Sequence, residues 1–148
     1  MPRESRCATD RVPQPVLIGT TKGNIVTQVI HDRPEQLQQI NAGLLQGETV
    51  FAVYDCIGVG TGFIGITNMR VILQDKSFVG NKLAITSVPY KNIRSVSMLS
   101  NKSMLGRFAS SSSIGIDTGG SVKEADFRGD DKAKHAHDLI LWNVLQIR

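Results

Sequence analysis

The sequence has few of the features that mark secreted, disulfide-stabilised or membrane-spanning proteins. Its two cysteines, Cys7 and Cys56, are far apart and form no paired motif, so no structural disulfide is expected. Aromatic residues make up only 5% of the chain, which predicts a mostly aliphatic core. The apolar runs are too short to cross a bilayer, and the first residues lack the apolar segment of a secretory signal. We therefore expect a cytoplasmic protein.

Patterns that would indicate catalysis or a bound cofactor are also weak. Residues 60–65 match GxGxxG, but they lead into a β-branched segment, whereas a dinucleotide site needs a helix there. His135 and His137 are two residues apart, which does not place them on one helix face. The serine run at 110–113 lacks the pattern of a nucleophile elbow and is interpreted as a turn. The sequence thus predicts no enzyme activity, metal site or cofactor.

Positive charge is concentrated in the middle of the chain. The net charge is +4, whereas residues 70–107 alone carry seven basic side chains and one acidic, a net +6. Such a region attracts anionic partners, although a solvated basic face without a ligand is the alternative. The nearby aromatics are only Phe78 and Tyr90, which disfavours nucleic acid. The candidate anion- or lipid-binding residues are Arg70, Lys76, Lys82, Lys91 and Arg94.

Short β-branched segments follow one another through the centre of the sequence. Glycine, asparagine and proline separate them, which is typical of an antiparallel meander. The seven predicted strands are 49–56, 63–66, 69–73, 83–88, 94–99, 114–117 and 122–127. Nearer the N-terminus, segments 16–18 and 24–30 flank a glycine-bounded loop, which fits a hairpin, a single strand or an extended arm.

Two segments have helical patterns. Residues 34–45 begin with a proline suited to the first turn, and their apolar residues recur at helical spacing. Residues 130–146 begin with Asp130 and Asp131, either of which is expected to cap the helix. The apolar face of this second helix is predicted to comprise Ala133, Ala136, Ile140, Val144 and Ile147.

These elements predict a mainly β fold. We expect a bent antiparallel sheet or partial barrel of about seven strands, capped by one C-terminal helix. Residues 1–33 are interpreted as an N-terminal tail or accessory hairpin, and residues 34–148 as the domain itself.

Three motifs resemble those of bacterial pleckstrin-homology-like (PH-like) and GRAM-like domains. They are Gly47-Glu48-Thr49, the GITNMR sequence at 65–70 and the VPYKNI sequence at 88–93, and the resemblance covers residues 44–145. It implies a non-catalytic scaffold, some members of which form rings by pairing sheet edges. Eukaryotic relatives often bind phosphoinositides through basic residues near the first strands. Here residues 49–62 carry no lysine or arginine, which departs from that pattern.

Two binding functions remain open at this point. The first is self-association, or binding of a protein partner, by pairing of an edge strand at 50–54 or 94–99. The candidate edge residues are Val50, Ala52, Tyr54, Val96 and Met98. The second is peripheral binding to an anionic membrane through the five basic residues named above.

Overall fold

The structure is a computed structural model that describes residues 17–21, 24–57, 62–76, 83–101 and 111–147. The strands are β1 (Leu17–Thr21), β2 (Asn24–Thr27), β3 (Ile30–His31), β4 (Val50–Asp55), β5 (Phe63–Thr67), β6 (Arg70–Lys76), β7 (Leu83–Pro89), β8 (Ser95–Asn101), β9 (Ser111–Asp117) and β10 (Val122–Arg128). The helices are α1 (Pro34–Ala42) and α2 (Asp130–Gln146), and a 3-10 turn covers Tyr90–Asn92. Cys7, Phe78 and Lys82 lie outside the described residues.

The strands form two main sheets. One has five strands in the order β3-β4-β5-β6-β7, and the other has three in the order β10-β9-β8. Apart from the parallel pair β3–β4, neighbouring strands run antiparallel. The hairpin β1–β2 forms a separate two-stranded sheet. The predicted mainly β fold with a C-terminal helix is therefore confirmed.

One core lies between the two sheets and α2. It is mostly aliphatic, as the scarcity of aromatics predicted, because strand residues alternate and send isoleucine and valine inward. Its fully buried side chains include Ile64, Ile66, Ile114, Ile116 and Ile140. The helix contributes Ala133 and Ala136 to this core, whereas Ile147, expected on the same face, is 53% exposed.

A second, smaller core lies on the outer face of the five-stranded sheet, beneath α1. Ile40 of the helix packs there with Val53, Phe63 and Ile72. Gly65 makes this close packing possible, because a Cβ atom at that position would lie 2.6 Å from Cδ1 of Ile40. The last glycine of the GxGxxG pattern therefore positions a helix on a sheet.

The two sheets are connected differently at their two corners. At one corner the amide of Ile57 donates to the carbonyl of Asp126 at 2.8 Å, forming an isolated bridge between them. At the other corner the chain passes from β7 to β8 through the 3-10 turn. Across the described backbone, no hydrogen bond joins β7 to β8. This second corner is therefore open.

The segment just before α1 is tied to the domain. Asp32 accepts a hydrogen bond from the amide of Asp55 at 2.9 Å and forms an ion pair with Lys132 of α2 at 2.5 Å. Together with the pairing of β3 with β4, these contacts place residues 30–33 against the domain that was expected to begin at residue 34.

Two interpretations of the sequence are wrong. The serine run was expected to be a turn, but Ser111 to Ser113 begin β9. The hydroxyls of Ser112 and Ser113 donate to the carboxylates of Asp130 and Asp126, which satisfies polar groups within the strand. The N-cap of α2 was expected to be an aspartate, but it is Gly129 at a φ of 97°, and no side chain caps the helix.

Candidate functional site

The three family-like motifs meet in one polar cluster around Glu48. The side chain of Glu48 is fully buried and accepts hydrogen bonds from the amide of Leu45 at 2.8 Å and from the hydroxyl of Thr67 at 2.7 Å. Arg70 donates through Nε and Nη2 to the two carboxylate oxygens, at 2.9 and 3.0 Å. The cluster thus joins the turn after α1 to the β5–β6 turn.

The remaining motif residues extend this cluster. Asn68 accepts from the amide of Thr49 at 2.8 Å and donates to the carbonyl of Gly47 at 3.2 Å. The buried hydroxyl of Tyr90 donates to the carbonyl of Thr67 at 2.5 Å. All three motifs therefore form a structural joint, which explains their occurrence together in one sequence.

The ion pair with Glu48 makes Arg70 unavailable for binding an anionic ligand. Burial acts to raise the pKa of Glu48, but the hydrogen bonds from Arg70, Leu45 and Thr67 outweigh it and lower the pKa from 4.5 to about 2. Arg70 also donates to the carbonyl of Gly43 at 2.8 Å. Its charge is paired within the fold and does not face a ligand.

The structure brings two of the predicted basic residues together at the open corner. Lys91, in the 3-10 turn, and Arg94, just before β8, are exposed there. Lys76 ends β6, but its side chain is outside the described part of the chain, as is all of Lys82. Lys123 of β10 joins Lys91 and Arg94. No sequence pattern indicated this, because only the sheet register places Lys123 there.

These three cations line a cleft of about 530 Å³ between the edge of β7 and the three-stranded sheet. The remaining wall is formed by Thr86, Ser87, Val88, Pro89, Asn92 and Thr118. No aspartate or glutamate belongs to this wall as far as the chain is described. The cleft therefore combines positive charge with hydroxyl and amide groups, a chemistry that suits an anionic partner.

The predicted edge residues fall into two groups. Val50, Ala52 and Tyr54 are in β4, which lies between β3 and β5, and Ala52 and Tyr54 are buried. Val96 and Met98 are in β8, at the border of the three-stranded sheet, and are partly buried against the core. Within the described ranges, only the second group lies on a strand that has one side unpaired.

Tyr54 has a different role from the one expected. Its hydroxyl is hydrogen-bonded to Nδ1 of His135 at 2.5 Å, which links β4 to α2. Burial lowers the pKa of His135, partly opposed by the negative charge of Asp138. Among the described residues, no three histidine, cysteine or acidic side chains are grouped as metal ligands.

The thiol of Cys56 lies near the closed corner, among acidic side chains. Burial raises its pKa to about 12, and neighbouring carboxylates, Asp55 foremost, add to the effect. The thiol is therefore protonated at neutral pH and is a poor nucleophile.

Two sheets of five and three strands, closed by a C-terminal helix, define the pleckstrin-homology class of fold. The chain belongs to the family described as "Bacterial PH domain", whose profile matches residues 38–140. None of the curated proteins compared with the chain matches it.

Two solved structures are similar to this chain. The pleckstrin homology domain from Shewanella amazonensis SB2B has a TM-score of 0.56 and 21% identity, over 77% of this chain and 99% of that one. A DUF1696 family protein with a pleckstrin-homology domain, from Shewanella loihica PV-4, has a TM-score of 0.52 and 19% identity, over 74% of this chain and 91% of that one. At these identities the likeness concerns the fold.

No helix in the described ranges is both long and apolar enough to cross a membrane.

Proposed function

We propose that this PH-like domain is a non-catalytic binding module that assembles with further copies of itself through the edge of β8. The observation that carries the proposal is the open side of this strand. All seven residues of β8 pair with β9 in unbroken register on one side, from Ser95 opposite Asp117 to Asn101 opposite Ser111. On its other side, no backbone partner occurs among the described residues.

A regular strand with an open side is a template for a further strand, because its free amide and carbonyl groups can extend the sheet. The strand itself lacks the features by which a sequence commonly protects a sheet edge. It has no proline, no bulge and no charged side chain between Ser95 and Asn101. It also presents Leu99, which is 66% exposed. Antiparallel pairing of two β8 strands would form a symmetric contact in which each copy offers the same surface.

The other predicted functions have less support. β4 is unsuited to strand pairing because β3 already pairs with it at Ala52 and Val53. The membrane hypothesis is weakened because Arg70 is paired with Glu48, and because Lys91 and Arg94 line a concave cleft and not a flat surface. We therefore prefer assembly through β8.

Light scattering during size-exclusion chromatography tests the proposal. We expect the unaltered protein to have a mass that is a discrete multiple of 16.1 kDa. Leu99→Lys should reduce this mass towards the monomer, because it adds charge to the edge without disturbing the core. Ile85→Lys is the matched control, since Ile85 is equally exposed at 65% but lies on β7.

A second variant tests the main-chain contact directly. Val96→Pro removes an amide and should also abolish assembly, provided that circular dichroism confirms a folded protein. Self-assembly would be refuted if the unaltered protein is monomeric at about 100 μM, a concentration at which even a weak dimer forms. An oligomer of unchanged mass in both β8 variants would exclude this strand as the interface.

A further inference from the structure

We propose that the cleft at the open corner binds an extended acidic peptide segment of a partner protein. The peptide lies along the edge of β7, and its carboxylates meet Lys91, Arg94 and Lys123. None of the residues that line the cleft belongs to β8, so the peptide test does not require self-assembly.

Arg94 is held over the cleft by the β9–β10 turn. Its amide donates to the carbonyl of Asp117 at 2.8 Å, which fixes the backbone. Its side chain lies across Gly119, where φ is +85° and an added Cβ would be 2.4 Å from Nε of Arg94. The backbone conformation favours glycine at this turn, and the absence of a side chain at Gly119 leaves the space in which Arg94 lies.

The side chain of Lys123 lies on the core-facing side of β10, at the edge of the core. In β10 it is directly opposite Ile116 and shares a face with Ala125 and Phe127, all three of which are buried. A lysine at a core-facing position, half-buried and lining the cleft, directs its charge between the two sheets. A flat bilayer surface would not reach this position, whereas a narrow chain segment would.

The charges of these three residues are not neutralised within the described part of the fold. None of them has a carboxylate oxygen within 4.0 Å there, unlike Arg70 and Lys132, which are both paired. The nearest acidic residue along the turn, Asp117, uses Oδ1 to accept a hydrogen bond from the amide of Gly119 at 2.7 Å. Three unpaired cations in one concavity favour a partner with several carboxylates.

The wall opposite these cations favours a peptide over a small anion. It is the outer edge of β7 from Thr86 to Pro89, a strand that pairs only with β6 in the described sheet. Pro89 has no amide hydrogen to donate, but the other free main-chain groups of this edge can bond to an added strand. A small anion would use the cations and leave this edge unpaired, so an extended acidic chain satisfies more of the site.

Fluorescence anisotropy with a labelled eight-residue peptide of alternating glutamate and threonine tests the inference. The control peptide has glutamine at each glutamate. We expect binding of the acidic peptide only, with an affinity that falls as salt rises. Lys123→Gln should weaken binding about fivefold, the upper range for a partly exposed ion pair. Lys91→Gln with Lys123→Gln should weaken it further.

Lys134→Gln is the matched charge control. It removes the same charge from the exposed pair with Asp138 on α2, away from the cleft, and should leave peptide affinity unchanged. In a strand addition, every second amide of the peptide faces β7. N-methylation of this set of amides should abolish binding, whereas N-methylation of the other set should not. Equal binding by both N-methylated peptides would overturn the strand geometry.

Three other results would overturn the proposal. The first is equal affinity for the acidic and glutamine peptides. The second is an equal loss of affinity in Lys134→Gln and Lys123→Gln. The third is binding of phosphatidylglycerol vesicles, lost in Lys91→Gln with Lys123→Gln, without any binding of the peptide, which would assign the cleft to an anionic membrane.

Discussion

Replacing Glu48 by glutamine should remove the main stabilising interaction of the joint between α1 and the β5–β6 turn. Glutamine has nearly the same shape, but its amide group would face the donors of Leu45, Thr67 and Arg70. The substitution also leaves Arg70, which is 18% exposed, without its counter-ion. The effect is therefore electrostatic and not a matter of lost volume.

The pKa of Glu48 gives the magnitude. Its fall from 4.5 to about 2 corresponds to about 3 kcal/mol of stability at neutral pH, at about 1.4 kcal/mol for each tenfold change in proton affinity. The side chain of Arg70 is 18% exposed, so water screens part of this interaction, and we expect a loss of about 2 kcal/mol. For a chain of this size the melting temperature should fall by about 4 to 8 °C.

The pH dependence separates this explanation from a packing defect. A carboxylate whose pKa is lowered in the folded protein contributes stability above its unfolded pKa and loses it as pH falls through the folded value. The difference in unfolding free energy between the unaltered protein and Glu48→Gln should be constant above about pH 5. It should decrease between pH 4.5 and about 2.

Urea unfolding followed by the fluorescence of Trp142, the single tryptophan, measures these free energies. Glu35→Gln is the control, because Glu35 is exposed in the first turn of α1 and should change stability by less than about 0.5 kcal/mol. A loss below about 0.5 kcal/mol for Glu48→Gln, or one that does not vary with pH, would refute the reasoning.

Two further predictions concern the contacts that hold the helices. Gly65→Ala should cost about 1–2 kcal/mol, because the new methyl group would overlap Ile40. The cost should be smaller in an Ile40→Val background, whereas Gly120→Ala, where the space is open, should be nearly neutral in the same urea assay. Tyr54→Phe should cost about 1 kcal/mol by removing the hydrogen bond to His135. Burial lowers the pKa of His135 below its ordinary value of 6.5. The folded protein should therefore lose stability as pH falls below 6.5, because the unfolded chain takes up a proton on this histidine before the folded protein does. NMR titration of the imidazole would test the direction of this pKa shift.

The architecture was predictable from the sequence because it depends on local patterns. The alternating residues of β9 and β10, the glycine-rich turn between them and the long amphipathic helix each gave a clear signal. The serine run was misread because its hydroxyls are satisfied by Asp126 and Asp130, which are distant in the sequence. A turn-like composition can form a strand when tertiary contacts supply the partners.

The candidate site was less predictable, because charge along the chain does not reveal which charges are paired. Arg70 belonged to the basic region by sequence, but the fold pairs it with Glu48, which lies 22 residues earlier in the chain. Lys123 lay outside that region, and the register of β10 brings it to the cleft. Both outcomes depend on pairings between residues far apart in the chain, which composition and periodicity do not encode.

The unequal corners of the domain have a mechanical consequence. The bridge between Ile57 and Asp126 restrains the two sheets on one side, so their relative motion should be a rotation about that side, widest between β7 and β8. A ligand seated between β7 and Lys123 would resist this rotation, because it would touch both moving bodies at once. Occupancy of the cleft would then slow hydrogen exchange in amides that the ligand does not contact.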